Sequence, residues 1–395
     1  MSSLRVLIAG GGVAAVETLL ALRHLAGDRI EIDLLAPTPD FVYRPLTVLE
    51  PFGGGEAPRV SLGTITRDRD AGHVFDGVAT VDPQRHTVTT TSGETLGYET
   101  LVLATGARPV ESLPGAITFP GEGSVRELRG LLAAVAEGRA QSVAFAVPRD
   151  VTWALPLYEL ALLTAGFLER RASARAELSV VTPEPAPLAA FGERASETVG
   201  ELLKQHSITL HAGVVPDAAG PEGVRLADGD IIAADRVVAL PALVGPDISG
   251  LPIERGFVPV DEHGRVRGID DVYAAGDATT WTPKQGGLAA QQGEVVAEAL
   301  AERAGAPVRP SPYRPVLPGI MLTGAESAFL RSDTSGHHRR SLSALRPLWW
   351  PPAKVAGRYL APYLYESDKA AERERARQAD VELREYEVRT DPPAP

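Results

Sequence analysis

Residues 4–17 constrain this chain more than any other stretch. An apolar run from Val6 to Ala9 breaks on Gly10, Gly11 and Gly12, then passes directly into the Ala/Leu-rich helical pattern from Ala14 to Leu25. That order is strand, tight turn, helix. The Gly-x-Gly-x-x-Gly/Ala spacing falls on Gly10, Gly12 and Ala15. The first position permits the turn, the second lets backbone approach a pyrophosphate, and the third lets helix pack closely on strand. The N–H groups at Val13 and Ala14, with the positive end of the helix dipole, would face the phosphates. An ordinary strand–helix turn can carry the same glycines, so the reading needs support elsewhere in the chain.

Two later stretches supply it. Tyr98 to Leu103 is an apolar strand closing on Ala104-Thr105-Gly106, and Asp271 to Ala275 is a short buried-strand pattern closing on Gly276-Asp277. A helical run from Gly287 to Glu302 follows the second. The three pieces, in this order, resemble the FAD-dependent pyridine nucleotide-disulfide oxidoreductase superfamily over about residues 4–305. The sulfide:quinone oxidoreductase and type II NADH dehydrogenase branch is the nearest in character. The resemblance implies an α/β fold: two Rossmann-like dinucleotide-binding units in a three-layer ββα sandwich architecture, plus a C-terminal extension. It implies an FAD-binding domain from 1–110 and 245–308, a second NAD(P)-binding-like domain at 111–244, and a capping or interface segment at 309–395.

The resemblance also assigns roles. Asp277 would bind the ribityl chain, and the helix beginning near Gly287 and Leu288 would aim its N-terminus at the flavin ring. Ala79, in the strand pattern 77–82, would lie where backbone grips adenine. Arg44, in an aromatic segment 41–46, would face phosphate or flavin, or snorkel at a domain edge. Lys284 would place positive charge near the flavin ring, favouring electron acceptance. The acid expected about 20 residues after the glycine turn is missing, since the second strand ends Ala36-Pro37-Thr38-Pro39-Asp40. Ribose contacts then fall to Thr38, Asp40 or backbone.

The second unit departs further. Its strand–helix turn reads Pro148-Arg149-Asp150-Val151-Thr152-Trp153-Ala154, with no glycine. Side chains at Trp153 and Leu157 stand where bare Cα positions are needed, which argues against conventional NAD(P)H binding and leaves only an atypical site for it. The segment is similar to the Cys-Pro-x-x-Pro-Tyr-Glu loop of sulfide:quinone relatives, with Trp153 near the cysteine's place. Trp153 either stacks on a planar ring or fills a domain interface. Glu159 either sits near the flavin for proton management or is a surface group.

The chain has no cysteine at all, so disulfide, persulfide and thiolate chemistry are excluded, as is a cysteinyl link to flavin. A net charge of −12 counts against a nucleic-acid binder. The pair His337-His338 reads as a solvated loop rather than a metal site, because no carboxylate cluster accompanies it. No apolar run approaches the roughly 20 residues of a membrane span, and no secretory signal pattern opens the sequence. A cytoplasmic protein, at most peripheral to the inner membrane face, is expected. Trp349-Trp350, followed by a helix pattern over 353–365, suits a membrane interface, a cover on the flavin cleft, or a homodimer contact.

Two functions follow from these residues. The first is an oxidoreductase passing hydride or electrons through non-covalent FAD, from a small-molecule donor to an acceptor such as a quinone. Its site residues would be Lys284, Glu159 and Trp153. The second is a non-catalytic flavin-binding sensor or scaffold with a decayed second nucleotide site.

Overall fold

The computed structural model describes residues 3–121, 123–171, 176–324, 326–333, 340–370 and 372–373. The histidine pair and most of the charged tail lie outside the described residues.

The chain lays down β1 (Leu4–Ala9), α1 (Val13–Ala26), β2 (Ile30–Leu35), β3 (Gly72–Val74) and β4 (Thr100–Leu103). It then builds a second unit from β5 (Ile117–Thr118), β6 (Ser142–Ala146), α2 (Leu155–Glu169), β7 (Glu177–Thr182), β8 (Ile208–Ala212) and β9 (Arg236–Ala239). It returns to the first with β10 (Val272–Ala274) and α3 (Gly286–Arg303). The sheets run β10-β4-β1-β2-β3 and β5-β9-β6-β7-β8, and every pairing in both is parallel. The outgoing segment Arg108–Val110 pairs antiparallel with the returning segment Ala242–Val244.

Strand alternation sorts the first sheet into layers. Val6 and Ile8 of β1 face α1 and α3, packing with Val16, Leu19 and Val296. Leu7 and Ala9 face the opposite way, against Val81 and Val88 of an antiparallel three-stranded sheet, Val78–Asp82, Thr87–Thr90 and Thr95–Gly97. This is the ββα sandwich. The second unit repeats it: Val143 and Phe145 face α2, whereas Ala144 and Ala146 face Val224 and Leu226 of another antiparallel sheet over Pro216–Ala233.

Two local readings change. The stretch from about Val110 to Gly123, whose Pro114, Gly115, Pro120 and Gly121 read as a linker from sequence, contains β5, which pairs with Val238 and Ala239 because its Ile117 finds the open edge of β9. The helix expected from 353 begins at 360. Pro351, Pro352 and Gly357 disfavour helix before that point, and the preceding residues instead run as an irregular strap across the molecule. Before the strap, β11 (Val316–Met321), β12 (Ala328–Asp333) and β13 (Arg340–Ala344) form an antiparallel sheet.

Candidate functional site

A cavity of about 830 Å³ opens at the carboxyl ends of β1, β4 and β10, where doubly wound sheets bind ligands. Its floor is the glycine turn. Gly10 has φ +131°, and a Cβ there would run into the carbonyl oxygen of Ala104, so only glycine lets β1 and β4 end this close together. Gly12 faces the cavity, and a Cβ there would meet nothing within 4 Å. Its bare backbone is therefore a surface kept clear for something outside the protein. As the N-cap of α1, Gly12 supplies no side-chain acceptor, and Val13 and Ala14 line the cavity wall beyond it. The first turn thus offers N–H donors and dipole to an anion.

Thr38, Asp40, Gly77 and Val78 close one end of the cavity, and Thr105, Gly106 and Ala107 form a side. Asp277 faces the interior, where burial raises its carboxyl above the usual range while Lys284 and Arg44 oppose the shift. Lys284 is 7% exposed. Its Nζ donates to the Thr279 carbonyl and lies 4.0 Å from the centre of the Phe257 ring. Burial pulls this ammonium down to about 8, with Asp277 holding it up. Its backbone N–H donates to Thr152 Oγ1 at 3.2 Å, tying the flavin-type unit to the glycine-free loop of the other.

The far wall comes from the second unit and the strap. Trp153 is half-buried and lines the cavity, its ring 5.6 Å from that of Phe191. Glu159 is 0% exposed, which rules out the surface reading of this residue. Lys354 Nζ donates to both its oxygens, at 2.6 and 2.7 Å, and to the Pro45 carbonyl at 3.0 Å. The Leu322 N–H adds a further donor at 2.8 Å. Burial raises the Glu159 carboxyl and Lys354 opposes that, and both members of the ion pair stand on the cavity wall.

Most sequence-designated residues meet here: Gly10, Gly12, Val13, Ala14, Arg44, Ala104, Thr105, Gly106, Trp153, Glu159, Gly276, Asp277 and Lys284 all line one cavity. Four do not. Ala15 is wholly buried beneath the turn, acting in packing alone. Gly77 and Val78 line the wall in place of Ala79, because the strand enters the cavity edge only at its start. Gly287 and Leu288 lie one step behind Gln285 and Gly286; the Leu288 N–H is taken by Gln285 Oε1 at 2.7 Å, so that amide is spent on capping α3. Lys354 and Gln285 were not singled out from the sequence, although Gln285 lies between the designated Lys284 and Gly287.

The second unit has no matching cradle. Leu155, Leu157 and Tyr158, in the first turn of α2, are buried in its core. Leu157 therefore does not obstruct the loop, contrary to the reading above; of the two, Trp153 lines the cavity. Tyr158 Oη donates at 3.1 Å to Glu184, two residues past β7, where a dinucleotide fold ordinarily offers an acid to ribose. Glu184 also accepts from Thr182 Oγ1 at 3.4 Å. Pyrophosphate cradle and free ribose acid are both missing, so these residues do not fit a dinucleotide held in the usual way.

The model of the pyridine nucleotide-disulphide oxidoreductase family matches residues 4–141 and 159–293, and the stretch between them holds the glycine-free turn. An NADH dehydrogenase-like protein of Mycobacterium tuberculosis is 27% identical over 293 residues, spanning 69% of this chain and 72% of its own. The sulfide-quinone reductase of Aquifex aeolicus is 26% identical over 258 residues, spanning 62% of this chain and 59% of its own. The solved sulfide:quinone oxidoreductase of Aquifex aeolicus superposes with a TM-score of 0.78 at 21% identity, covering 87% of each chain, a likeness of fold.

Proposed function

Because the chain belongs to the pyridine nucleotide-disulphide oxidoreductase family, and is an oxidoreductase acting with a flavin, we propose that FAD lies in the cavity on the glycine turn and passes electrons to a quinone-type acceptor. The observation that carries this reading is the convergence of Gly12, Asp277 and Lys284 on one cavity. The turn and the open end of α1 would take the pyrophosphate; Thr38, Asp40, Gly77 and Val78 would take the adenosine end. Asp277 would hold the ribityl chain and Lys284 the polar edge of the ring. When bound, the isoalloxazine supplies the hydride and electron chemistry. The protein's residues set its surroundings: Lys284 supplies positive charge, Trp153 covers the ring and excludes water, and Glu159 with Lys354 holds a proton beside it.

No cysteine exists to form a persulfide or disulfide, so donor and acceptor must exchange electrons with the ring directly. The filled turn and the occupied Glu184 argue against NAD(P)H as donor through a conventional site. Among the described residues no helix is long and apolar enough to cross a membrane. Trp350, 72% exposed, and Leu345, 63% exposed and five residues earlier, are large apolar side chains left open to solvent ahead of the strap, suited to a quinone held at a membrane surface. Trp349 is half-buried against Phe329 and donates to the Ala353 carbonyl at 3.0 Å, so only one of the two tryptophans is free for such a contact.

Anaerobic titration of the purified yellow protein tests the proposal. Slow or no bleaching with NADH and NADPH, but reoxidation of the dithionite-reduced protein by a soluble quinone, is the expected result. Rapid bleaching by a nicotinamide would overturn the donor assignment. Purified protein without flavin would overturn the cofactor. A bound flavin that no quinone reoxidises would restore the sensor or scaffold reading.

A further inference from the structure

Glu17 sits in the middle of α1, away from the cavity, and is 0% exposed. A carboxylate in such a place costs several kcal/mol unless it is paired or keeps its proton. Among the described residues no cation is paired with it. Its two oxygens accept backbone N–H bonds from the strap, Oε1 from Tyr359 at 2.8 Å and Oε2 from Leu360 at 2.7 Å. Its neighbour on α3 is a second carboxylate, Glu294, which hydrogen-bonds to it and accepts the Arg358 N–H at 3.1 Å. Three successive amides at the start of the C-terminal helix are thus held by two acids from two different helices. Two adjacent carboxyl groups that hydrogen-bond each other must hold a proton between them.

We propose that Glu17 and Glu294 share one proton and act as the latch of the C-terminal strap, making Glu17 a positioning residue for Lys354. The strap reaches the latch directly from Lys354, whose ammonium is on the cavity wall, and Val355, whose N–H donates to Tyr43 Oη at 2.8 Å. Loss of the shared proton would leave two buried negative charges side by side, and separating the strap from α1 and α3 lets water reach them. Release of the latch withdraws Lys354 from Glu159.

The other charged and titratable groups around the pair do not remove this pressure. Glu298 on α3 adds negative charge near Glu294, and its own carboxylate accepts the Ser311 N–H at 3.0 Å. Arg358 on the strap opposes it and is the one cation near the pair among the described residues. Tyr359 keeps its proton, its phenol raised by burial, and His24 of α1 packs on the Tyr359 ring at 5.2 Å. Burial, then Glu294, pushes the Glu17 carboxyl up to about 8, against the pull of the two amides. The sign follows: docking retains a proton that the released strap gives up, so docking is strongest at low pH and weakens as pH rises toward 8. The loss is about tenfold per pH unit, for one proton bound on docking, and levels off above 8.

Hydrogen exchange of the segment 354–363 in the full chain, from pH 6 to 9 and divided by its rate in the urea-unfolded chain, reads the latch. Wild type should lose protection about tenfold per pH unit until near pH 8. Glu294→Gln keeps an acceptor for Arg358 and offers Glu17 an uncharged donor, so the strap should stay protected with a flattened slope. Glu17→Gln should also flatten the slope, at lower protection because one acceptor is lost. If one variant fails to fold, the other still decides. Wild-type protection that ignores pH, or variants that keep the full slope, would overturn the proposal. The readout is backbone exchange in one segment, so it holds or fails separately from the flavin reading, on which only the consequence for Lys354 rests.

Discussion

The two parallel-sheet units of this protein share an architecture and differ at one turn. In both, a central strand runs into a helix, with an antiparallel sheet on the opposite face. In the first unit the turn is Gly10 to Gly12, its backbone is clear, and α1 opens onto a cavity. In the second the turn carries Trp153, α2 begins inside the core, and the acid beyond the next strand is bound to Tyr158. Two copies of one fold therefore need not keep two copies of one site. The sheet is held by strand alternation and apolar packing, which tolerate any turn that fits; a phosphate site also needs bare backbone and free N–H groups, and side chains fill those readily.

Substitutions at the first turn break the comparison most sharply. Gly10→Val forces a branched side chain into the Ala104 backbone at positive φ, and should cost on the order of 4 kcal/mol as well as the flavin, read by thermal melts of apoprotein. Gly12→Val should leave the apoprotein melt unchanged and abolish flavin retention, because its Cβ meets nothing but cavity. A Gly12→Val protein that purifies with full flavin would end the claim that the first turn is the cofactor floor.

The bridge between the units comes next. Lys354→Met leaves the Glu159 carboxyl buried without its cation, and should destabilise the protein by about 3 kcal/mol, measured by urea unfolding. The Glu159 carboxyl should then shift further up, since only the Leu322 N–H is left to oppose burial.

Lys284 gives a subtler effect. Its pKa is depressed to about 8, so its charge is present below that pH and lost above it. The flavin midpoint potential should fall more steeply with pH through this region, and Lys284→Met should remove the inflection, read by spectroelectrochemistry.

The smallest effects belong to the second unit. Trp153→Ala, at a half-buried position, should cost about 1 kcal/mol and leave flavin bound while changing the rate of reoxidation. Tyr158→Phe removes one of the donors that hold Glu184, for about 1 kcal/mol, and should still not confer reduction by NADH, since the turn remains without glycine. Reduction by NADH in that variant would show that the acid, and not the turn, is what closes the second site.

Much of this was legible along the chain. The glycine turn, the Ala104-Thr105-Gly106 and Gly276-Asp277 strand ends and the filled second turn are contiguous motifs, and backbone chemistry within a few residues decides what each can do. The ββα layers came from the resemblance that those motifs carry. Errors arose where a residue's surroundings came from elsewhere. Ala79 and Leu288 sat in the right segments, but which residue of a strand or helix end meets a cavity depends on how that element is seated. β5 was hidden in a Pro/Gly-rich stretch because its partner, β9, lies more than a hundred residues on.

The sequence by itself determined two dinucleotide-type units, a bare glycine turn in the first and a side-chain-filled turn in the second, and a chain without thiols. Only the tertiary structure decided that Glu159 is buried against Lys354, 195 residues away, and that Glu17 holds amides 342 and 343 residues downstream. A turn's conformation is fixed by its own few residues. A buried carboxylate's partner is fixed by which surfaces pack together, and a strap of prolines, glycine and one lysine carries no local signal of where it will land.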